Sequence, residues 1–332
     1  MSEFDKVIGH TQVISYFQKA IAQDKLAHSY IITGEKGSGK KLLTGLFAKT
    51  LQCEAQGVEP CGECRSCKQS ESGNQPDIIW VTHEKPGSIG VDDVRDQLVG
   101  DIMIKPYSSR YKIYIVDEAE KLTVQAQNAL LKTIEEPPAY GIIIFLTTNV
   151  EMFLPTIVSR CVNLNLYPLA SGLVKTYLME ELKVPDYKAD VCVAFSQGNM
   201  GKAIQLAKSA EFDAVKTRFI RLIKNIDNVE YSEILQTISD AGSEGFGLED
   251  YLDLILIWYR DVLFYKATHS VEGLVFREEV AAIQAVAGGT SYEGIEEIVR
   301  AIETSKVRIN ANVNEEIVTE LMFSKIKENQ ND

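Results

Sequence analysis

The stretch Gly34-Glu35-Lys36-Gly37-Ser38-Gly39-Lys40-Lys41 carries the complete frame G-x-x-x-x-G-K. It follows an apolar run, Tyr30-Ile31-Ile32, and opens a helical pattern, Leu42-Leu43 to Phe47. A strand, a glycine-rich loop and a helix in that order are the setting in which backbone N–H groups cradle phosphates. The next residue is ordinarily Ser or Thr, because its hydroxyl ligates the magnesium that bridges two phosphates of a nucleotide. Here it is Lys41, which offers no oxygen and brings a positive charge toward the cation. Gly34, Gly37, Gly39, Lys40 and Lys41 are therefore candidate phosphate-site residues. The loop is equipped to hold phosphate and poorly equipped for magnesium-dependent hydrolysis.

Short β-branched runs alternate with helical patterns on both sides of this loop. The candidate strands are 29–33, 78–81, 112–116, 142–147 and 162–166. Between them lie helical stretches at 13–22, 40–51, 91–99 and 125–135. Strands separated by helices predict a parallel sheet covered on both faces, and Ile142 to Leu146 is continuously apolar, as a strand buried on both faces should be. After about Leu166 the β signal disappears. Short helices are expected at 173–182, 189–196 and 202–207, punctuated by Gly198 and Gly201. From about Glu211 the pattern stays helical, with Ile295, Ile298, Val299 and Ile302 at helical spacing, and likewise Ile317, Val318, Leu321 and Met322. A loop is expected at Gly242 to Gly247, and a frayed tail at 327–332. The segment 251–265 is apolar over most of its circumference, interrupted by Arg260-Asp261. Such a helix is buried in its own domain or faces another subunit in part. Three pieces result: an α/β nucleotide-type domain over 1–166, a small helical lid over 167–208 and an all-helical domain over 209–332.

Two further clusters carry chemistry. Lys112 to Val116 is an apolar strand that ends in Asp117-Glu118. After a phosphate loop, the first carboxylate sits near the metal and the second orients the attacking water; the alternative is an acidic strand end that caps the next helix. Cys53, Cys61, Cys64 and Cys67 give C-x7-C-x2-C-x2-C, the pattern of a closed four-thiolate zinc site in a polar segment over 53–67. A redox C-x-x-C pair or free surface thiols are the alternatives. Cys161 and Cys192 are expected to be ordinary buried or half-buried thiols.

The chain has 332 residues, 45% hydrophobic and 24% charged, with a formal net charge of −13. That length allows two or three domains with real cores. The acidic balance argues against this chain alone being the main grip on a nucleic acid. It therefore disfavours a zinc-dependent nucleic-acid-binding module. No secretory pattern opens the chain, and its best apolar segment, 252–265, is too short and too charged to span a bilayer, so a cytoplasmic location and no membrane partner are expected.

The runs Leu130 to Pro138, Leu146-Thr147-Thr148-Asn149 and Ser159-Arg160-Cys161 resemble those of AAA+ clamp-loader subunits. The cysteine module after the first loop helix looks like the gamma/tau and delta-prime branch of bacterial polymerase III. Val7 to His10 and Ala27 to Tyr30 match that family's opening. Asn74 to Asp77 and Ile89 to Arg95 look nearer to the delta-prime side, where His often stands in place of Gln75. The likeness is dense over 7–166, thinner in the lid, and in the C-terminal part rests on Asn310 to Asn314 and the helix after it.

The resemblance implies an AAA+ fold with a C-terminal oligomerisation collar over 209–332. It implies gamma/tau and delta subunits as partners, with the sliding clamp and primed DNA reached through the complex. It adds Asn149 to the nucleotide site and gives Arg160 the part of an arginine finger that reaches a neighbouring subunit's ATP. Without the resemblance, Arg160 reads as a surface residue paired with a nearby carboxylate. Two departures point away from ATP turnover: Lys41, and Gly201, which stands where hydrolysing members carry Arg, with Lys202 beside it. The expectation is a loader subunit with structural zinc, no polymerase site and little or no ATPase of its own, set against a gamma/tau-type motor. A small-molecule kinase fits neither the Ser-Arg-Cys motif nor the helical second half.

Overall fold

Seven consecutive residues from Gly141 to Thr147 are buried, because their strand has neighbours on both edges and helices on both faces. In the computed structural model, which describes residues 3–243, 246–311 and 313–330, this strand (β4) joins four others. They are β1 (Ser29–Thr33), β2 (Ile78–Val81), β3 (Lys112–Val116) and β5 (Val162–Asn165). The sheet is wholly parallel in the order β2-β3-β4-β1-β5. The strand order reverses at β1, and such a switch point opens a crevice at the carboxyl ends of the strands, where ligands of open α/β sheets are bound.

Side chains alternate across the strands and build two apolar layers. Ile113, Ile115 and Ile144 pack with Tyr30, Phe17 and Phe47 on one face. The rings of Phe17 and Phe47 stack at 3.8 Å and join helix α1 (Thr11–Ala22) to α2 (Lys40–Gln52). Tyr114, Val116, Ile143 and Phe145 point to the other face and meet Leu130 and Ile134 of α5 (Val124–Glu135). Two shorter helices, α3 (Arg65–Glu71) and α4 (Val91–Val94), lie between α2 and β3, and α6 (Pro155–Val158) precedes β5. The single helix expected over 91–99 is α-helical only to Val94. It then widens into π-type turns, and the Gly100 N–H donates to Arg95 O, five residues back.

The remaining helices are α7 (Ser171–Glu180), α8 (Asp186–Ser196), α9 (Met200–Lys208), α10 (Ala210–Lys224), α11 (Tyr231–Ser243), α12 (Leu248–Thr268), α13 (Val280–Gly289), α14 (Tyr292–Asn310) and α15 (Glu315–Asn329). The expected loop at 242–247 is therefore shorter, since α11 runs through Gly242 and Ser243, and Glu244 and Gly245 lie outside the described residues. Asn312, and the tail beyond Gln330, lie outside them as well. Gly198 sits between helices at φ 85°, but Gly201 belongs to the first turn of α9 and interrupts nothing.

Two compact units result. One holds the chain to Leu169 together with Asn199–Gly201, and the other holds 170–198 and the chain from Lys202. In the second unit α12 is the central rod, with Tyr251, Ile255, Trp258 and Tyr259 buried. The apolar circumference read from the sequence is thus an internal one for most of its length. Its interrupting Asp261 is fully buried, and Oδ2 accepts the N–H groups of Val275 and Phe276 at 2.8 Å each. Burial pushes its carboxyl above the usual carboxylate range. No helix of the described residues is long and apolar enough to cross a membrane.

Candidate functional site

β1 delivers Gly34 at the carboxyl edge of the sheet, where its N–H donates to Thr147 O of β4 at 3.1 Å. The loop that follows turns through Gly37 (φ 89°) and Gly39 (φ 94°), a left-handed conformation that costs glycine nothing and side-chain-bearing residues a good deal. Gly39 caps α2, so the free N–H groups and positive dipole end of that 13-residue helix face the cradle. Lys40 folds back and donates to the carbonyls of Gly34 and Glu35, the latter at 2.9 Å. Burial lowers its pKa, against the pull of Glu120 and Asp117. The ring of His10 meets Ser38 O at 3.0 Å and braces the loop from α1.

Lys36, Gly37, Gly39, Lys40, Lys41, Asp117, Glu118, Glu120 and Thr148 line a cavity of about 450 Å³. The two carboxylates after β3 are both engaged by lysines of the chain itself. Lys41 Nζ lies 2.6 Å from Asp117 Oδ2, and Lys121 Nζ lies 2.6 Å from Glu118 Oε2. Lys121 holds the Glu118 carboxyl below the usual range. Glu118 is left-handed at φ 48°, and Glu120 accepts both the hydroxyl and the N–H of Thr148. Burial works to raise the Glu120 carboxyl, but its hydrogen bonds leave it lowered.

Gly34 and Asn149 stand behind the cavity and do not line it. A Cβ on Gly34 would come within 2.7 Å of Ser38 Oγ and 3.0 Å of Leu166, so the residue serves a tight turn. The Asn149 side chain accepts from Glu151 N and caps the short turn after β4. Sequence reasoning missed Glu120, Lys121 and Thr148. It also missed Asn199, whose amide donates to Lys36 O at 2.8 Å and Glu35 Oε2 at 3.2 Å. Gly201 N–H donates to Gly37 O at 3.0 Å, and a Cβ at 201 would come within 2.6 Å of that same oxygen. The segment 199–201 is thus a strap over the phosphate loop that only glycine permits. Lys202 pairs with Asp250 at 3.6 Å and lies over the Phe195 ring.

Arg160 follows α6. Its Nη2 is 2.9 Å from Glu135 Oε1, and its Nη1 donates to Thr156 O at 2.9 Å. Both partners of the ion pair are over 40% exposed, so the pair contributes less than about 1 kcal/mol and exchanges readily for a better anion.

Cys53 closes α2, and Cys61, Cys64 and Cys67 come from the loop and first turn of α3. The four Sγ atoms lie within 4.8 Å of one another. A tetrahedral zinc with Zn–S of about 2.3 Å needs sulfur separations of about 3.8 Å, so the cluster fits after a small contraction. Cys61 N donates to Cys53 Sγ, Cys64 N to Cys61 Sγ and Cys67 N to Cys64 Sγ, at 3.3, 3.4 and 3.3 Å. Such N–H donors favour thiolates, and the Cys64 and Glu63 amides pull the Cys61 thiol down to about 6. The cluster can hold a metal ion with no open position. Cys161 and Cys192 lie apart from it, and burial raises their thiols to about 12 and 11.

A family model described as DNA polymerase III, delta subunit, matches residues 9–170. The chain is 29% identical to the DNA polymerase III subunit delta′ of Bacillus subtilis over 308 residues, 91% of this chain and 92% of that one. It is 30% identical to the tau subunit of the same organism over 299 residues, 83% of this chain. The chain belongs to the clamp-loader family of DNA polymerase III. This clamp-loader chain spans about half the length of the tau relative, 53%. Among solved structures, a DNA polymerase III gamma-subunit-related protein of Thermotoga maritima superposes with a TM-score of 0.47 at 18% identity, covering 96% of this chain and 99% of that one. The fold is a parallel five-stranded sheet between helices, followed by a mostly helical C-terminal part.

Magnesium, the metal with which a phosphate loop of this kind ordinarily works, does not fit the residues present. The dication needs oxygen ligands in near-ideal octahedral geometry. Lys41 supplies none, and its ammonium already satisfies Asp117.

Proposed function

We propose that this chain is the delta-prime-type subunit of a bacterial clamp loader: an AAA+ subunit that does not turn over ATP and instead serves a neighbour's. In the assembly with gamma/tau and delta it would help place the sliding clamp on primed DNA in the cytoplasm. The lid, 167–208, and the collar, 209–332, would hold it in the ring, and zinc on the four cysteines would stabilise the module at 53–67. The observation that supports this reading is the Lys41–Asp117 ion pair at 2.6 Å, which sets an ammonium against the carboxylate a metal would need and has a counterpart in Lys121–Glu118. Arg160 is the residue available for export, because its present partner is weak and exposed. An arginine finger is worth on the order of 10³–10⁵ in rate at the site it completes.

The experiment is a reconstituted loader containing Arg160→Ala in this chain. DNA-stimulated ATPase should fall while the subunits still assemble, and the isolated wild-type chain should release no phosphate. Unchanged ATPase of the complex removes the finger. The 30% identity to tau supports a second reading, a gamma/tau-type motor. Magnesium-dependent phosphate release by this chain alone would establish that reading instead.

A further inference from the structure

The phosphate loop has the parts of an anion site and lacks the seat for a metal. The cavity at the head of α2 is lined by Lys36, Lys40 and Lys41, beside two glycines in the left-handed region. The helix end supplies N–H donors and a positive field. In a metal-dependent site the carboxylate after β3 acts through magnesium. Here it acts through Lys41, an ammonium carried by the chain itself. We infer that this pocket takes a nucleoside diphosphate without its magnesium, with Lys41 as the built-in counter-cation.

Three features favour a diphosphate. Lys40 and Lys41 stand at the head of α2, with Lys36 on the cavity wall, and these cations with one helix end serve two phosphate groups. At 201 a further cation is sterically barred, since any Cβ there meets the Gly37 backbone. The Lys41 side chain is 68% exposed, so it can leave Asp117 for a phosphate oxygen without disturbing the core. Bound magnesium would bring a dication against that ammonium with one carboxylate to share between them. Magnesium should therefore weaken binding, the reverse of the usual sign. The inference deepens the reading of this pocket as non-hydrolysing. It is separable from the arginine finger, which acts at another chain's nucleotide.

The test is a fluorescence titration of the full chain with N-methylanthraniloyl-ADP, in buffer prepared without magnesium and in buffer with a millimolar excess of it. Wild-type binding should be equal or tighter without the metal. Lys41→Thr should invert that order, gaining several-fold in affinity when magnesium is added. Asp117→Asn should bind at least as tightly as wild type, because the carboxylate repels phosphate once Lys41 has moved; in a metal-dependent site the same change weakens binding. Lys40→Ala should lose binding in both buffers. A wild-type affinity that rises tenfold with magnesium overturns the inference, and so does the absence of saturable binding in both buffers. Either result leaves the effect of Arg160→Ala in the assembled loader as it was.

Discussion

Gly201 donates its backbone N–H to the carbonyl oxygen of Gly37, so a residue far along the chain is hydrogen-bonded to the phosphate loop. By the family likeness Gly201 is a missing arginine. In the structure it is a steric requirement, because a Cβ would lie 2.6 Å from one backbone atom and 2.8 Å from another. Backbone cannot swing aside as a side chain does. Gly201→Ala should destabilise the protein by about 1–3 kcal/mol, the usual cost of forcing atoms into a packed contact. Gly201→Arg should do the same and confer no ATPase. Thermal melting of both variants checks this, and wild-type midpoints would show that the strap bears no load.

The cysteine module gives a second expectation. Its segment is polar and turn-rich, so it depends on whatever holds the thiolates together. Purified protein should contain about one equivalent of zinc, the share set by one closed four-thiolate site. Cys61→Ser or Cys64→Ser should lose most of it and lower the melting temperature, while Cys192→Ser leaves metal content unchanged. Elemental analysis reads the result directly. Full zinc in the Cys61 variant would end the assignment.

His10 links pH to the phosphate loop. Burial lowers its pKa below the ordinary 6.5, against the Ser38 carbonyl that would raise it. The unfolded chain therefore takes up this proton first. The stabilisation from neutral His10 is fully present above pH 6.5 and is lost as pH falls through the lower folded value. The melting temperature of wild type should drop over that window more than that of His10→Gln. Parallel pH profiles for the two proteins would exclude a contribution from the ring.

In the helical unit, Asp261 accepts two backbone N–H groups that have no water to turn to. Asp261→Ala leaves both orphaned, at a cost of about 2–4 kcal/mol. Asp261→Asn keeps an acceptor oxygen and should cost less. Denaturant midpoints for the pair of variants separate loss of the carboxylate charge from loss of the cap.

Strands and most helices were legible because their signals are local. Ile142 to Leu146 is apolar at every position, and its shortness and its β-branched isoleucines mark it as a strand. Lys41 was legible as a missing hydroxyl. Its bond to Asp117 was not, since the two meet only once β4 is inserted between β1 and β3. Lys121 gave no warning because a lysine three residues after a glutamate is ordinary on any surface. Asn199 and Thr148 act through backbone groups of distant segments, which no periodicity reports. For Asn149 the family likeness assigned a place in the nucleotide site, whereas its side chain closes a turn. At 242–247 the three glycines suggested a break, and α11 runs through the first of them.

The exposed position of Cys61, with Cys64 half-covered beside it, governs how this protein is handled. A chelator strong enough to scavenge traces of magnesium also competes for an ion held by surface thiolates. Treatment with EDTA would act at the cysteine end of the helix whose other end forms the cradle, since Cys53 closes the helix that Lys40 opens. Metal dependence at the cradle is therefore best measured by leaving magnesium out of the buffers, with a thiol reductant that does not itself bind zinc.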